Sequence, residues 1–501
     1  MSKIRHTLFV YAASVALAML TTGTAWSQDT IRIATPYPVT TLDPAGSAAG
    51  GNIDKFPQLY STLLRYDDDG NLAPALAESW EVSDDGMKIT LQLREAGFSD
   101  GSPITADDVV FSLQRTQSDQ SAYPAPVASI DAVTAEDEHT VVLELKHPHA
   151  PILANLTIYN TGIVSRAAVE GNDDAFASDP VTSGPYTVKK WAPNDRLVLE
   201  ANPHYWREGY PRNDGAVFIE VGSANTRIDM LVAGKVDAVR SVPWTRIDKL
   251  ADRDDTRAPL NPTTLIYETL LNHDRAPFDN EKVRRAAALA LNRAAIANAV
   301  TFGHSEVANT TLTNAIEFHN NDFDELQYDP DQARQLLQEA GAENPQVTII
   351  TTQPEKKAVT LIQAQWAEVG IDASIDQVDT GNWWKRLMGG DYDATVNWFL
   401  NETRDPDLAT RWALCGECGN RSYYTNYNNE QVNELIDKAA RAQDVDQREQ
   451  YYHEIQRIST HEVSQIPLYY PAHNIAYSTR IEGLKMTPYV QWTLESAEVV
   501  E

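Results

Sequence analysis

Two cysteines, Cys415 and Cys418, stand in Cys-Gly-Glu-Cys and are the only thiols of the chain. That spacing serves three chemistries: a redox pair, part of a tetrahedral metal site, or a disulfide closing a small loop. A redox pair usually starts a helix in a thioredoxin-like unit, and zinc needs further Cys or His ligands nearby. The flanks Trp412-Ala-Leu and Gly419-Asn-Arg read as loop and bring no such ligands. In an oxidising compartment the expectation is a disulfide staple, with free thiols and a metal as the open alternatives. Among eleven histidines, only His147 and His149 are close together, beside Pro148 in what reads as a surface turn. Acidic runs at Asp67-Asp68-Asp69, Asp84-Asp85 and Asp107-Asp108 fall at turns and helix starts, where carboxylates accept backbone N–H groups. No carboxylate pair stands out from them as a glycosidase pair would. The Gly-x-Ser-x-Gly, P-loop, Gly-x-Gly-x-x-Gly and His-Glu-x-x-His patterns are missing. The reading is therefore no catalytic residue, no metal and no cofactor.

What remains is contact chemistry. Trp383 and Trp384 precede Ala394-Thr-Val-Asn-Trp-Phe-Leu400, a strand-like run carrying Trp398, and the polar loop Asn401-Glu402-Thr403-Arg404-Asp405-Pro406 follows. The three tryptophans suit stacking on a sugar ring, a peptide plane or a cation, with core packing as the alternative for each. Gly46 to Asn52 is a loop of small residues that lets backbone approach a ligand, or else a plain connection.

The elements that must position these residues alternate between strand and helix. Lys88–Leu93 alternates strictly and follows the turn Ser83-Asp-Asp-Gly86, so it reads as one arm of a hairpin. Thr105-Ala-Asp-Asp108 fits a capping box with Asp in place of Glu. Ile31–Ile33 and Val141–Leu145 are further strands, and Ala-rich Val283–Ile296 reads as one helix. Val359, Ile362, Trp366 and Val369 form an apolar stripe between the strands Val347–Ile350 and Ile371–Ile375, a β-α-β unit in which Trp366 is core. The fold class is α/β, without an internal repeat.

The chain has 501 residues, enough for two or three domains, with 42% hydrophobic and 22% charged residues. Lys3 and Arg5, the thirteen-residue apolar run Leu8–Leu20 and Ala25-Trp26-Ser27 together read as a signal peptide over residues 1–27, with cleavage near Ser27. No Cys follows that point, so a lipid anchor is not expected, and the mature chain is placed free in an extracytoplasmic space. Net charge is −30, and −32 once residues 1–27 and their two basic side chains are removed. Such a surface repels nucleic acid and anionic lipid.

Longer stretches carry a resemblance. Tyr60–Tyr66, Leu72–Trp80 and Phe98–Phe111 are similar to family 5 of the bacterial extracellular solute-binding proteins, the dipeptide, oligopeptide and nickel-binding group. Thr182–Tyr186, Asn202–Trp206, Leu231–Asp237, Ala276–Ala286 through Arg293, Leu336–Gly341, Asp405-Pro406 and Ile466–Tyr469 continue the likeness in colinear order. The resemblance implies a two-lobed periplasmic-binding-protein fold of type II, with lobe I at 28–265 plus 475–501, an inserted subdomain near 63–180, and lobe II at 266–474. It implies a monomeric, periplasmic, non-enzymatic subunit of an ABC importer. Such a subunit closes over a peptide or peptide-sized polar solute and passes it to membrane permease subunits. Peptide-binding relatives place an Asp shortly after the strand Trp to receive the ligand ammonium. Counting from Trp398 gives Asn401, an amide, with Glu402 as substitute if the loop shifts by one residue. Dipeptide-binding relatives hold the ligand carboxylate with an Arg ahead of the helix leading to Trp366, where this chain has Gln353. The expected contact set is thus Trp398, Asn401, Trp383, Trp384, Asn52, Glu402, Arg404 and Arg421. An oligosaccharide, an opine-like solute and a metal chelate are the alternatives within the fold; a periplasmic hydrolase or chaperone is the alternative outside it.

Overall fold

The computed structural model describes residues 29–46, 51–171, 173–418 and 422–500. The expected signal peptide at 1–27 and the expected contact residue Arg421 lie outside the described residues. No helix among the described residues is long and apolar enough to cross a membrane.

Two large mixed sheets and one small antiparallel sheet organise the chain. In the seven-stranded sheet, Thr30–Thr35 runs parallel to Gly215–Glu220 on one side and to Ala238–Val239 on the other. The late strand Ala476–Ser478 joins this sheet antiparallel to Ala238–Val239. In the six-stranded sheet, Leu265–Leu271 is antiparallel to both Ala394–Leu400 and Ile466–Pro471. Ala394–Leu400 runs parallel to Gln346–Thr351, which pairs in parallel with Asp372–Gln377. The chain therefore passes between the two large sheets at 258–264 and at 472–475, and two hydroxyls of the first crossing bond to the ends of neighbouring strands in the six-stranded sheet. Thr264 Oγ1 donates to the Asn401 carbonyl at 2.6 Å and Thr263 Oγ1 to the Pro471 carbonyl at 2.8 Å.

The small sheet comprises Ala77–Val82, Lys88–Leu93, Thr140–Leu145 and Ile130–Ala135. The alternation in Lys88–Leu93 puts Ile89, Leu91 and Leu93 into its core, where helix Ala106–Gln117 adds Val109 and Leu113. Asp108 accepts the Thr105 backbone N–H at 3.0 Å and its hydroxyl at 2.8 Å, the reciprocal half of a capping box.

Helix Lys356–Val369 buries Val359, Ile362, Trp366 and Val369, the stripe read from its periodicity. Trp366 is fully buried, and its indole N–H donates to the Ala287 carbonyl at 2.9 Å. Two expectations are corrected. Val283–Ile296 is two helices, Glu281–Leu289 and Arg293–Thr301. Asn292 breaks it, because its side-chain oxygen accepts the Ala295 N–H at 2.9 Å and starts a new helix there. Asn292→Ala is expected to cost about 1 kcal/mol of stability, read as a lower urea midpoint at unchanged m-value. His149, read as lying on a surface turn, is buried. The adjacent Ala150 N–H donates to the Ala440 carbonyl at 2.8 Å, which presses this turn onto helix Glu430–Arg441. Burial pushes the His149 imidazole down to about 3.

Candidate functional site

Parallel register brings strand ends to a common edge, and in open α/β sheets ligands bind outside the carboxyl ends of strands. In the seven-stranded sheet the three parallel strands deliver Tyr37, Glu220 and Arg240 to one edge. In the six-stranded sheet Trp398 lies opposite Tyr267, and Tyr267 opposite Tyr469, at the edge where Gln346–Thr351 also ends and Glu355 follows. Tyr37 of the first edge acts electrostatically on Tyr267 of the second, so these two residues lie near each other.

On the first edge the Arg240 guanidinium lies 4.7 Å over the Tyr37 ring and donates to Asp54 at 2.9 Å. Lys55 pairs with the other Asp54 oxygen at 2.7 Å and donates to the Gly51 carbonyl at 2.7 Å. Burial lowers the Lys55 ammonium, against the pull of Asp54. Buried Arg227 holds the strand end in place through the carbonyls of Val221, Gly222, Arg240 and Ser241, at 2.7, 3.0, 3.0 and 2.8 Å. Asn52 is fully buried, and neither amide atom meets a hydrogen-bond partner. Such a group is costly unless something else satisfies it.

On the second edge Tyr267 and Tyr469 stack with ring centroids 4.9 Å apart. Glu355, at the start of helix Lys356–Val369, accepts the Thr352 hydroxyl, and burial raises its carboxyl. Trp398 is 40% exposed, and Tyr423 donates to its carbonyl at 2.9 Å, fixing the backbone beneath it. Burial pushes the Glu402 carboxyl up to about 7, with the Tyr123 and Tyr159 hydroxyls opposing as nearby donors. One Glu402 oxygen and the Tyr159 hydroxyl are both shielded from solvent and close no hydrogen bond. The arrangement offers partly buried carboxyl groups, hydroxyls and the exposed Trp398 ring, which is equipment for holding an amine-bearing molecule. Among the described residues no group of His, Cys, Asp and Glu is arranged to hold a metal ion.

The residues singled out from sequence are thus divided. Trp398 and Glu402 stand at the second edge, and Asn52 is buried at the first, its carbonyl accepting the Lys55 N–H at 3.0 Å. Asn401 is buried, and its amide donates to the Asp405 carbonyl at 3.2 Å. Trp383 is buried in the core and donates to Thr395 at 2.9 Å. Trp384 is exposed, edge-on to Trp383 at 4.9 Å. Arg404 donates to the Gly70 carbonyl at 3.0 Å and sits 3.7 Å from Glu317. Gln353 is exposed and accepts from Gln377 at 3.0 Å. Cys415 and Cys418 are joined as a disulfide with Cα atoms 5.4 Å apart. Sequence reasoning missed Tyr37, Tyr123, Tyr159, Arg240, Tyr267, Glu355 and Tyr469. The one local signal was the placement of Tyr37 and Glu355 just past strand ends. Trp398→Ala is expected to weaken solute binding about tenfold, on the order of 1.4 kcal/mol, with little change in the urea midpoint. Unchanged affinity in calorimetry would remove Trp398 from the site.

Comparison with known proteins agrees with this architecture. The sequence matches the bacterial extracellular solute-binding proteins, family 5 (middle), over residues 71–420. It is 27% identical to di/tripeptide-binding protein 2 of Pseudomonas aeruginosa, with 97% of each chain covered. It is likewise 27% identical to the glutathione-binding protein GsiB of Escherichia coli K12, over the full length of both. The fold superposes on the periplasmic binding protein DppA of Helicobacter pylori, solved with the peptide STSA, at a TM-score of 0.84 and 23% identity, covering 94% of this chain and 98% of that one. A family match over most of the length, on a mixed α/β fold, establishes that the chain belongs to family 5 of the bacterial extracellular solute-binding proteins, which are non-enzymatic transport components.

Proposed function

We propose that this protein is the periplasmic solute-binding subunit of an ABC importer and captures a peptide or peptide-sized solute by its free amine. The carrying observation is Glu402, a shielded carboxyl facing Tyr123 and Tyr159 with hydrogen bonds left open. An ammonium placed there would satisfy both. The peptide- and glutathione-binding relatives support a solute of this size. Residues 1–27 direct export and are removed, leaving a monomer without a lipid anchor. Lobe I, 28–265 plus 475–501 with the insert near 63–180, closes on lobe II, 266–474, about the crossings at 258–264 and 472–475. The closed, loaded form is what the permease subunits read. Trp398 stacks on the solute, and Asn52 supplies an amide from the opposite lobe. Cys415–Cys418 stays oxidised in this compartment.

Native mass spectrometry of the purified mature protein tests the reading. The expected result is a co-purifying solute with a primary amine, released chemically unchanged on denaturation. A solute returned with altered covalent structure, or a chain that neither retains a solute nor binds any di- or tripeptide in calorimetry, would defeat it.

A further inference from the structure

Two carboxyl groups, Glu402 and Glu355, stand at the edge of the six-stranded sheet, and among the described residues no cation figures in the electrostatics of either. The groups acting on Glu402 are Tyr123 and Tyr159, and those on Glu355 are Thr352 and its own backbone N–H. The cations of the first edge, Lys55 and Arg240, are both paired with Asp54. Arg404, two residues beyond Glu402, is turned to the Gly70 carbonyl. Where a zwitterionic dipeptide would need a cation for its carboxylate, the segment 353–355 offers an exposed Gln353 and the partly buried Glu355. A carboxylate arriving there would be repelled in a poorly solvated site. Glu355 also lies within electrostatic reach of the stacked Tyr267 and Tyr469, and Tyr37 acts on Tyr267 as well. A carboxylate with two tyrosine hydroxyls near it is an environment for a cation, which the charge attracts and the hydroxyl oxygens can accept hydrogen bonds from. Asn52, one Glu402 oxygen and the Tyr159 hydroxyl are shielded from solvent without hydrogen-bond partners, so they leave polar atoms for a bound solute to meet.

We propose that the solute carries, besides the amine received at Glu402, a second cationic group of lysine or arginine type, which Glu355 receives against Tyr267 and Tyr469. This deepens the peptide-binding reading and rests on it for the first amine only. Calorimetry on the mature protein and on its E355Q and E355D variants, with Ala-Lys, Ala-Arg, Ala-Ala, Ala-Glu and the non-peptide agmatine, separates the two claims. The wild type is expected to bind Ala-Lys and Ala-Arg at least tenfold more tightly than Ala-Ala, with Ala-Glu weakest. E355Q is expected to reduce that preference below threefold, and E355D to keep part of it. Equal affinities of the wild type for Ala-Lys, Ala-Ala and Ala-Glu would overturn the second cation and leave peptide capture standing. A preference that survives E355Q overturns the assignment to Glu355. Agmatine binding that E355Q weakens, with no peptide bound, sustains the cation site and defeats the peptide reading; failure of all five compounds to bind overturns both.

Discussion

Glu402→Gln is expected to weaken binding of an amine-bearing solute at least about 30-fold, because removing one charge of a buried ion pair costs about 2–5 kcal/mol. The same substitution is expected to stabilise the empty protein at neutral and alkaline pH. Burial pushes the folded-state carboxyl up to about 7, against an ordinary value of 4.5. Between those values the folded chain holds a proton that the unfolded chain has released, so stability from this group falls as pH rises from 4.5 to 7 and stays low above 7. The full difference is about 3 kcal/mol as an upper bound. Thermal melts of wild type and E402Q should therefore nearly coincide at pH 4.5 and separate at pH 8, with the variant higher. Solute affinity of the wild type should fall below pH 7, as the carboxyl takes up its proton and stops attracting the ammonium. Undiminished affinity in E402Q, or equal melts at both pH values, would remove Glu402 from the role given to it.

Arg448→Ala is expected to cost about 3–5 kcal/mol of stability, the range for breaking a buried ion pair by deleting one partner. Arg448 pairs with Asp405 at 2.8 Å, each side chain only 8% exposed, and donates to the Ala439 carbonyl at 3.1 Å. Its guanidinium lies 5.3 Å over Phe318 and 5.7 Å over Tyr452, rings that stack on each other at 5.5 Å. Asp407 is buried alongside and donates its N–H to Asp405 at 2.9 Å. Burial already raises both carboxyls while Arg448 opposes it. Without the arginine, two acids remain buried with Arg411 at 3.6 Å from Asp407 as the nearer cation. Asp405 then favours its protonated form more strongly in the folded state, so the variant loses most stability at high pH and recovers part of it on acidification. Urea unfolding at pH 8 and pH 5 checks both sign and size. A loss below about 1 kcal/mol at pH 8 would show the pair to be structurally idle. The loop that carries Glu402 is built on this pair, three residues upstream of Asp405.

The parts legible in the sequence were those that local chemistry decides. Turn residues at Ser83–Gly86, the periodic burial of Val359 to Val369 and the core role of Trp366 needed no distant partner to be read. Asn292 was missed because its capping power competes with the Ala-rich pattern around it, and only the formed helix shows which won. His149 looked like part of a turn because its neighbours are polar and proline-rich, whereas its burial comes from a helix nearly three hundred residues later. The cleft was legible only in part. Trp398 and Glu402 were marked by a resemblance. Asn401 and Glu402 differ in the structure by one hydrogen bond, the Asn401 amide to the Asp405 carbonyl, that spacing does not encode. Tyr37, Arg240 and Glu355 follow three separate strands, and Tyr267 and Tyr469 lie within two more. Periodicity tells which face of a strand is buried, but the register between strands, which gathers these residues, is a tertiary property.

The most direct test is a crystal structure of the mature protein with a bound amine-bearing peptide. The account predicts the peptide between the two sheet edges, its ammonium within hydrogen-bonding distance of Glu402 and its bonds intact. A peptide lodged elsewhere, such as between the small sheet and helix Glu430–Arg441, or an ammonium that avoids Glu402 altogether, would contradict it.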